Sequence, residues 1–247
     1  MEILKITHLK KAYHGSNGTK DILDQFDFTM ESGIMVAIMG PSGSGKTTLL
    51  NQISGIDKPD GGDICIDGKS QSNISIKEKT EYRRTTLGMV FQDFHLIDSL
   101  TVRDNIILPL TLQKKYFDEI EEQLEAVVKV SGIQELLDKY PSELSGGEKQ
   151  RVAICRAVIS RPKLILADEP TGNLDLENTQ NIMEYFQQIK EKQSILMVTH
   201  DAYAASYCDE VVYFRNGKIE KTLVRGSDTE TFFVEILKAM AFLGGKR

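Results

Sequence analysis

The feature that most constrains the fold of this sequence is the run Gly40-Pro41-Ser42-Gly43-Ser44-Gly45-Lys46-Thr47-Thr48. It lies between an apolar stretch, Ile34–Met39, and a stretch with helical character, Leu49–Ile53. It matches G-x-x-x-x-G-K-[ST], a pattern of loops that bind phosphate groups. Glycines let successive backbone N–H groups point inward, and the following helix adds partial positive charge. The run therefore predicts a strand, a phosphate-binding loop and a helix.

Two side chains of this loop have predicted roles of their own. The Lys46 ammonium would reach the β- and γ-phosphates of a nucleotide, and the Thr47 hydroxyl would ligate Mg²⁺. The alternative, a flexible surface loop, fits poorly with a strand before the loop and a helix after it. The loop predicts nucleotide binding without indicating what the nucleotide is used for.

Charge and composition exclude several classes of protein. The net charge of -6 offers no overall basic field, so no nucleic-acid partner is expected. Cys65, Cys155 and Cys208 lack the spacing of a metal site and are expected to be small apolar residues in a reducing compartment. The start of the chain does not resemble a signal peptide, and no apolar run approaches the length of a membrane span. We therefore expect a cytosolic chain whose membrane role depends on another protein.

Strand-like and helix-like segments alternate along the chain. Leu164–Ala167 is a continuous apolar run, as expected of a strand covered on both faces, and Ser194–Val198 is predicted to be another buried strand. The alternation predicts an α/β fold with a parallel sheet. Further strands are predicted at 2–8, 24–30, 63–66, 87–91, 211–214 and 218–223, and helices at 75–85, 117–130, 133–138, 149–160, 176–192 and 229–243.

Polar residues follow three of the predicted strands, at Gln92, at Asp168 with Glu169, and at His200. Ligands of open parallel sheets bind at the carboxyl ends of the strands, so these residues are expected at one site. Asp168 would hold Mg²⁺ through water, and Glu169 would accept a proton from an attacking water. The alternatives are a helix cap for the acids and a structural role for His200, which otherwise would contact the γ-phosphate. Gln92 has the weakest independent support.

A second potential anion site precedes the helix predicted at 149–160. Ser145-Gly146-Gly147 would present backbone N–H groups at a helix N-terminus. The alternative is an ordinary capped helix start. Two anion sites and one Mg²⁺ site suggest that a nucleotide is held at both ends.

The full set of motifs resembles the ATP-binding-cassette (ABC) ATPases. The matching segments are Gly40–Thr48, Gln92, Leu144–Glu148, Leu164–Glu169, Asn173–Asp175 and His200. The resemblance covers almost the whole chain and implies ATP binding and hydrolysis. It implies an α/β fold: a P-loop NTPase core, an N-terminal antiparallel β subdomain and an α-helical signature subdomain. A single domain is expected over 1–247, with the core and β subdomain at 1–90 and 161–226, the helical subdomain at 91–160 and a helical tail at 227–247.

The resemblance also implies roles that spacing does not supply. Two ABC cassettes dimerise head to tail around ATP, so Ser145 and Gly147 would face the ATP of a second copy. Asn173–Asp175 would line that interface, Tyr13 would stack on adenine, and Gln92 would contact Mg²⁺ and sense a permease. A lone tyrosine is otherwise more often a packing residue. The predicted catalytic residues are Lys46, Gln92, Glu169 and His200; the ATP-binding residues are Tyr13, Gly40, Ser42, Gly43, Ser44, Gly45, Lys46, Thr47, Thr48, Ser145, Gly147 and Asp168; the Mg²⁺ ligands are Thr47, Gln92 and Asp168.

The resemblance narrows further to cassettes that serve separate permeases. The stretches Asp168–Asp175 and Met197–Asp201 resemble the subgroup of macrolide, lipoprotein-release and cell-division systems. Ala204–Cys208 and the tail Thr231–Gly245 resemble the bacitracin-type transporters of peptide-antibiotic resistance or sensing. Such a cassette would lie peripherally at the cytoplasmic face of the membrane and dock its permease near residues 92–110, unless that stretch is only subdomain core. The alternatives are a soluble cassette of DNA repair or translation and a mainly signalling subunit.

Overall fold

The computed structural model describes residues 1–15, 18–72, 74–172, 174–226 and 228–244. Its strands are β1 (Glu2–Gly15), β2 (Gly18–Glu31), β3 (Met35–Met39), β4 (Gly61–Ile66), β5 (Lys69–Ser70), β6 (Leu87–Val90), β7 (Leu164–Asp168), β8 (Ser194–Val198), β9 (Glu210–Arg215) and β10 (Lys218–Val224). Its α-helices are α1 (Lys46–Ile53), α2 (Ile76–Thr86), α3 (Val102–Leu112), α4 (Phe117–Ser131), α5 (Gly146–Val158), α6 (Leu176–Ile189), α7 (Ala202–Ser206) and α8 (Thr229–Gly244).

The strands form two sheets. One is antiparallel, with the order β2-β1-β4-β5. The other has the order β10-β9-β3-β8-β7-β6 and is parallel except for the edge strand β10. Helices α3, α4 and α5 pack on one another within the stretch predicted to be the helical subdomain. The predicted α/β fold with an antiparallel N-terminal β subdomain is therefore present, while the exact subdomain boundaries remain a prediction.

The central strands are apolar except at their ends, Ser194 in β8 and Asp168 in β7, because each face of the sheet packs against its own core. In β3, Met35 and Ala37 belong to one buried cluster, and Val36 and Ile38 belong to the other. Side chains alternate between the faces of a strand, so a doubly covered strand has no polar face. Each fully buried aliphatic side chain contributes about 1.5–3 kcal/mol. The sheet is thus a rigid base for the loops that leave its carboxyl edge.

The N-terminal hairpin is longer than predicted. β1 and β2 were expected at 2–8 and 24–30, but their pairing continues to Gly15 opposite Gly18. The added residues are mostly exposed and polar, so they carry no apolar alternation. Backbone hydrogen bonds to the partner strand hold them in extended form, and that partner is not visible in a local pattern. Tyr13 consequently lies within a strand.

The observed helices differ from the predicted ones in several places, and no helix was predicted where α3 (Val102–Leu112) lies. The helix predicted at 133–138 is a single 3-10 turn, Gln134–Leu136, and the helix predicted at 176–192 ends at Ile189. The short helix α7 was not predicted; it begins after Asp201, whose carboxylate accepts a hydrogen bond from the Tyr203 N–H at 2.8 Å. Within the described ranges, no helix, α8 included, has the length and apolar character needed to cross a bilayer.

Candidate nucleotide-binding site

The carboxyl ends of four neighbouring strands define the site. β3, β8, β7 and β6 lie side by side and parallel, in that order. The loop Gly40–Gly45 leaves β3, His200 follows β8, Asp168 and Glu169 lie at the end of β7, and Gln92 comes two residues after β6. The sheet therefore places the predicted strand-end residues along one edge.

The backbone of the loop requires glycine at two positions for different reasons. A Cβ at Gly40 would lie 2.0 Å from the Phe214 carbonyl oxygen, so the loop passes too close to β9 for a side chain. Gly45 has a φ of +102°, and a Cβ there would lie 2.6 Å from Ile22 Cγ2. The left-handed backbone and the close packing both favour a residue without a Cβ. The resulting turn leads directly into α1.

Two polar side chains of the loop suit a phosphate ligand. The Lys46 ammonium donates to the carbonyl oxygens of Gly40 at 2.8 Å and Pro41 at 3.0 Å. Burial lowers the pKa of Lys46, while the carboxylates of Glu169 and Asp168 act in the opposite direction. The Ser44 hydroxyl is buried and has no hydrogen-bond partner among the described residues. A phosphate oxygen would satisfy this hydroxyl and is a stronger acceptor for Lys46 than a carbonyl.

Asp168 and Thr47 form an oxygen pair beside the loop. A side-chain hydrogen bond joins them, and burial raises the pKa of Asp168 against the effect of that bond. Carboxylate and hydroxyl oxygens are ligands that Mg²⁺ accepts. Gln92 is exposed, and its neighbour Asp93 is near enough to act on the pKa of Asp168. The three predicted Mg²⁺ ligands therefore come from adjacent parts of one edge.

The Glu169 carboxylate is held by two residues that follow β8. Its Oε2 accepts hydrogen bonds from the Thr199 hydroxyl at 3.2 Å and the His200 N–H at 3.3 Å. Its Oε1 lies 2.9 Å from His200 Nδ1. Glu169 also has a φ of 49°, an unusual backbone conformation for a residue other than glycine. The carboxylate is thus fixed in one place at the edge of the site.

The role of Thr199 in this arrangement was missed by sequence reasoning. Thr199 is fully buried, and its backbone N–H donates to the Ile38 carbonyl at 3.2 Å. Its position directly after the apolar run of β8 was the available signal, since the same argument had selected His200. A threonine after a strand is common, so its presence alone does not indicate a functional hydroxyl.

Tyr13 lies next to the phosphate loop, and neighbouring polar side chains hold it in position. Its side chain is hydrogen-bonded to Thr48, and its hydroxyl donates to Asp57 Oδ2 at 2.9 Å. The buried Lys11 ammonium lies 2.9 Å from Asp57 Oδ1 and 5.3 Å from the centre of the Tyr13 ring. No sequence pattern pointed to Lys11 or Asp57, because the two are far apart along the chain. Tyr13 is 44% exposed, which leaves ring surface accessible.

The second predicted anion site is a capped helix start within one molecule. The Ser145 hydroxyl accepts from the Glu148 N–H at 3.3 Å, and Glu148 Oε2 accepts from the Ser145 N–H at 2.7 Å. Ser145 is exposed and Gly147 is half-buried, and no described hydrogen bond joins Ser145 to the phosphate loop. The roles of Ser145 and Gly147 toward the nucleotide of a second copy stay predictions.

Asp175, predicted to line the same interface, caps helix α6. Its carboxylate accepts a hydrogen bond from the Asn178 N–H at 2.8 Å. Asn173 lies outside the described residues. The Asn178 side-chain amide also donates to both oxygens of the Asp175 carboxylate, at 2.9 and 3.0 Å. The side chain of Asp175 is nevertheless exposed, and its interface role stays a prediction.

The segment after Gln92 is fastened to helix α5. The Arg156 guanidinium donates to the carbonyl oxygens of His95 and Phe94, both at 2.6 Å. Burial lowers the pKa of Arg156, although a guanidinium stays protonated. Phe94 and His95 have positive φ values of 59° and 49°, so this turn is held in a specific shape. The turn after Gln92 is therefore bound to α5, the helix capped by Ser145.

Comparison with known proteins agrees with this geometry. The family model described as "ABC transporter" matches residues 23–172. The chain is 46% identical over 245 residues to the ABC transporter ATP-binding protein YxdL of Bacillus subtilis, covering 98% of this chain and 95% of that protein. It is 43% identical over 248 residues to the bacitracin export ATP-binding protein BceA of Halalkalibacterium halodurans, covering 99% and 98%.

A solved structure extends the likeness to three dimensions. The dimeric post-hydrolysis state of the ATP-binding cassette MJ0796, bound to ADP and Pi, superposes with a TM-score of 0.84 at 34% identity. The match covers 91% of this chain and all of that one, 100%. The likeness therefore extends over the sheet edge described above as well as the surrounding fold.

Proposed function

Because this chain belongs to the ABC transporter family and is an ATPase of that family, we propose that it drives a separate permease in resistance to, or sensing of, bacitracin-like peptide antibiotics. The observation that carries the proposal is the complete set of phosphate-loop, acidic and histidine groups on one sheet edge, in a chain similar over 99% of its length to a bacitracin export protein. That protein's description supports the antibiotic class. The lipoprotein-release, macrolide and cell-division systems are the alternative.

In the proposed mechanism, the phosphate loop binds the triphosphate of ATP. Lys46 exchanges the Gly40 and Pro41 carbonyls for oxygens of the β- and γ-phosphates, and Ser44 donates its buried hydroxyl. The N-terminus of α1 adds favourable backbone dipoles. Thr47, Gln92 and Asp168 would hold Mg²⁺, Asp168 through water, and the ion when bound neutralises charge on the phosphates.

Glu169 is the proposed general base. It accepts the proton of the water that attacks the γ-phosphorus, and Thr199 and the His200 N–H keep its carboxylate in position for that transfer. The His200 ring is largely exposed, with 75% of the side chain accessible, and can turn toward the γ-phosphate. The chemistry therefore requires positioning and one proton acceptor, which the sheet edge provides.

A second copy of the chain would complete the site. The exposed Ser145 and the first turn of α5 would bind the γ-phosphate held by the other copy, and the similarity to MJ0796, a cassette solved as a dimer with ADP and Pi, supports a dimer. Because Ser145 is already hydrogen-bonded by Glu148, the helix start is preorganised for this contact.

Stacking by Tyr13 can be separated from its hydrogen bonds. We expect Tyr13→Ala to weaken ATP binding about tenfold, since stacking of a base on an aromatic ring contributes about 1–3 kcal/mol. Tyr13→Phe, which keeps the ring and loses the hydroxyl bonds to Asp57 and Thr48, is expected to stay within about threefold of the wild type. Titration with a fluorescent ATP analogue measures both, and equal affinities of the wild type and Tyr13→Ala would contradict stacking.

The permease is proposed to dock on the exposed part of residues 92–110. Val102, Ile106 and Leu110 are buried and belong to the subdomain core, whereas Ile97 is 41% exposed. Asn105 is buried and its side chain accepts from the Ile97 N–H at 2.8 Å, which fixes this surface to α3. The contact would hold the cassette peripherally at the cytoplasmic face of the membrane. A displacement of this segment by the permease would be transmitted to α5 through the hydrogen bonds of Arg156.

We expect Ile97→Asp to abolish copurification with the permease that the wild-type cassette retains, while the isolated cassette hydrolyses ATP at its normal rate. A charge at the centre of an apolar contact is strongly unfavourable when it becomes buried. Val224→Asp, at an apolar position 65% exposed on β10, is the matched control and should copurify. Retention of the permease by Ile97→Asp would contradict docking here.

The antibiotic class is tested in cells. Deletion of the gene is expected to increase sensitivity to bacitracin, and the wild-type gene but not Glu169→Gln should restore resistance. Unchanged sensitivity, accompanied by a defect in lipoprotein release, macrolide efflux or division, would favour the alternative systems.

A further inference from the structure

A cavity of about 250 Å³ lies at the C-terminal end of the phosphate-loop helix α1, and none of its lining residues belongs to the phosphate loop itself. It is formed by the C-terminal end of α1, the loop that follows, β4 and α2. The lining residues that matter here are Gln52, Asp57, Lys58, Ile64, Lys79 and Arg83. None of them has a role in the chemistry proposed above.

Gln52, in the last turn of α1, has a buried amide without partners. The residue is 2% exposed, and neither Oε1 nor Nε2 makes a hydrogen bond within the described ranges. A buried amide without hydrogen bonds has lost its bonds to water and gained none in the protein, which is unfavourable. A ligand that supplies both a donor and an acceptor would therefore be favoured. A planar group with adjacent donor and acceptor atoms, such as the edge of a nucleobase, matches a glutamine amide.

Three cationic side chains line the same cavity. Lys58, Lys79 and Arg83 form no ion pair with any described residue, and Arg83 donates a hydrogen bond to the Gly55 carbonyl at 3.3 Å. The one carboxylate in the lining, Asp57, is already bound by Lys11 at 2.9 Å and by the Tyr13 hydroxyl at 2.9 Å. In a chain with a net charge of -6, this concentration of unpaired positive charge favours an anion.

We propose that this cavity is a regulatory site for a nucleoside monophosphate. The base would pair with Gln52 against the apolar wall at Ile64, and the phosphate would bind Lys79 and Arg83 at the mouth. The volume of about 250 Å³ is below the roughly 300–1,000 Å³ usual for drug-sized ligands, which suits one base with its phosphate outside. The Gln52 amide, the apolar side chain of Ile64 and the cationic side chains together favour a nucleoside monophosphate over a simple carboxylate ligand.

Occupation of the cavity would change ATP affinity, a consequence that rests on the proposed function. Gln52 belongs to α1, which begins at Lys46, the residue proposed to bind the phosphates. Lys58 accepts a hydrogen bond from Lys11 at 2.8 Å through its carbonyl, and Asp57 holds Tyr13. Both ends of the ATP site are therefore attached to the cavity wall. By linkage, ATP and the monophosphate change each other's affinity by the same factor.

The test follows the Gln52 side-chain amide by NMR in the full chain, with adenosine monophosphate as the probe. The Gln52 signal is identified by its loss in Gln52→Leu. We expect a saturable shift of that signal, and the double variant Lys79→Gln, Arg83→Gln should weaken binding at least about tenfold through loss of two charge-assisted contacts. Lys77→Gln, an exposed lysine of α2 outside the cavity lining, should leave the affinity unchanged.

Three results would overturn the proposal. One is no shift at Gln52 with millimolar adenosine monophosphate. Another is a shift that Lys46→Ala abolishes and the Lys79, Arg83 double variant leaves intact, because the probe would then occupy only the ATP site. The third is equal binding of ribose 5-phosphate or inorganic phosphate, which would show that the nucleobase does not contribute to binding. Loss of ATP hydrolysis in the wild type would instead contradict the proposed function and leave the Gln52 signal as a separate measurement.

Discussion

A Glu169→Gln variant is expected to bind ATP and to hydrolyse it about 10²–10⁴-fold more slowly than the wild type. The carboxylate is held by the Thr199 hydroxyl and the His200 backbone, and an amide in its place cannot accept a proton from water. The groups that bind the triphosphate are unchanged. The nucleotide therefore stays bound, and two copies closed around ATP are expected to accumulate as a dimer.

Phosphate release measures the rate in this experiment, and light scattering with ATP measures the dimer. Glu125→Gln, an exposed carboxylate on α4 far from the strand ends, is the matched control and should hydrolyse ATP normally. Hydrolysis by Glu169→Gln at the wild-type rate would contradict the proposal that Glu169 is the general base. A variant that keeps ATP and stays monomeric would contradict the shared site.

The Lys46→Ala variant is expected to lose about 10²-fold or more in ATP affinity. Hydrogen bonds to charged groups contribute about 1.5–3 kcal/mol each, and the ammonium is the cationic side chain of the loop itself. Among the described residues it donates to the Gly40 and Pro41 carbonyls, so its removal is expected to leave the buried strand β3 and helix α1 in place. The loss should therefore concern binding far more than folding.

Titration with a fluorescent ATP analogue measures this affinity, and thermal unfolding without nucleotide checks the fold. Lys221→Ala, an exposed lysine on β10, is the control. An unchanged affinity in Lys46→Ala would count against the loop as the phosphate site. A large drop in unfolding temperature would assign the effect to loop structure instead.

Much of the site was predictable because its parts are local. The phosphate loop depends on glycines and a lysine within nine residues, Gly40–Thr48. The apolar runs of the buried strands β7 and β8 predict both strands. Their ends place Glu169 and His200 on one sheet edge. Parallel pairing makes strand ends converge, so a one-dimensional pattern was enough to gather these residues.

Other features depend on contacts between distant residues and had no local signal. The outer half of the hairpin is extended because β1 and β2 pair there, although its side chains are polar. Lys11 supports Tyr13 through Asp57, and Arg156 fastens the turn at Phe94. In each case the stabilising partner lies on another element.

The fold class, the phosphate loop and the acidic strand ends can be read from the order of the residues, because backbone conformation and apolar patterning are set by neighbours along the chain. The hydroxyl that holds Glu169, the support of Tyr13, and the meeting of Gln52 with three cationic side chains at one cavity became visible in the folded chain. These outcomes depend on burial and on charges meeting across the fold, and both exist only once the sheets and helices have packed.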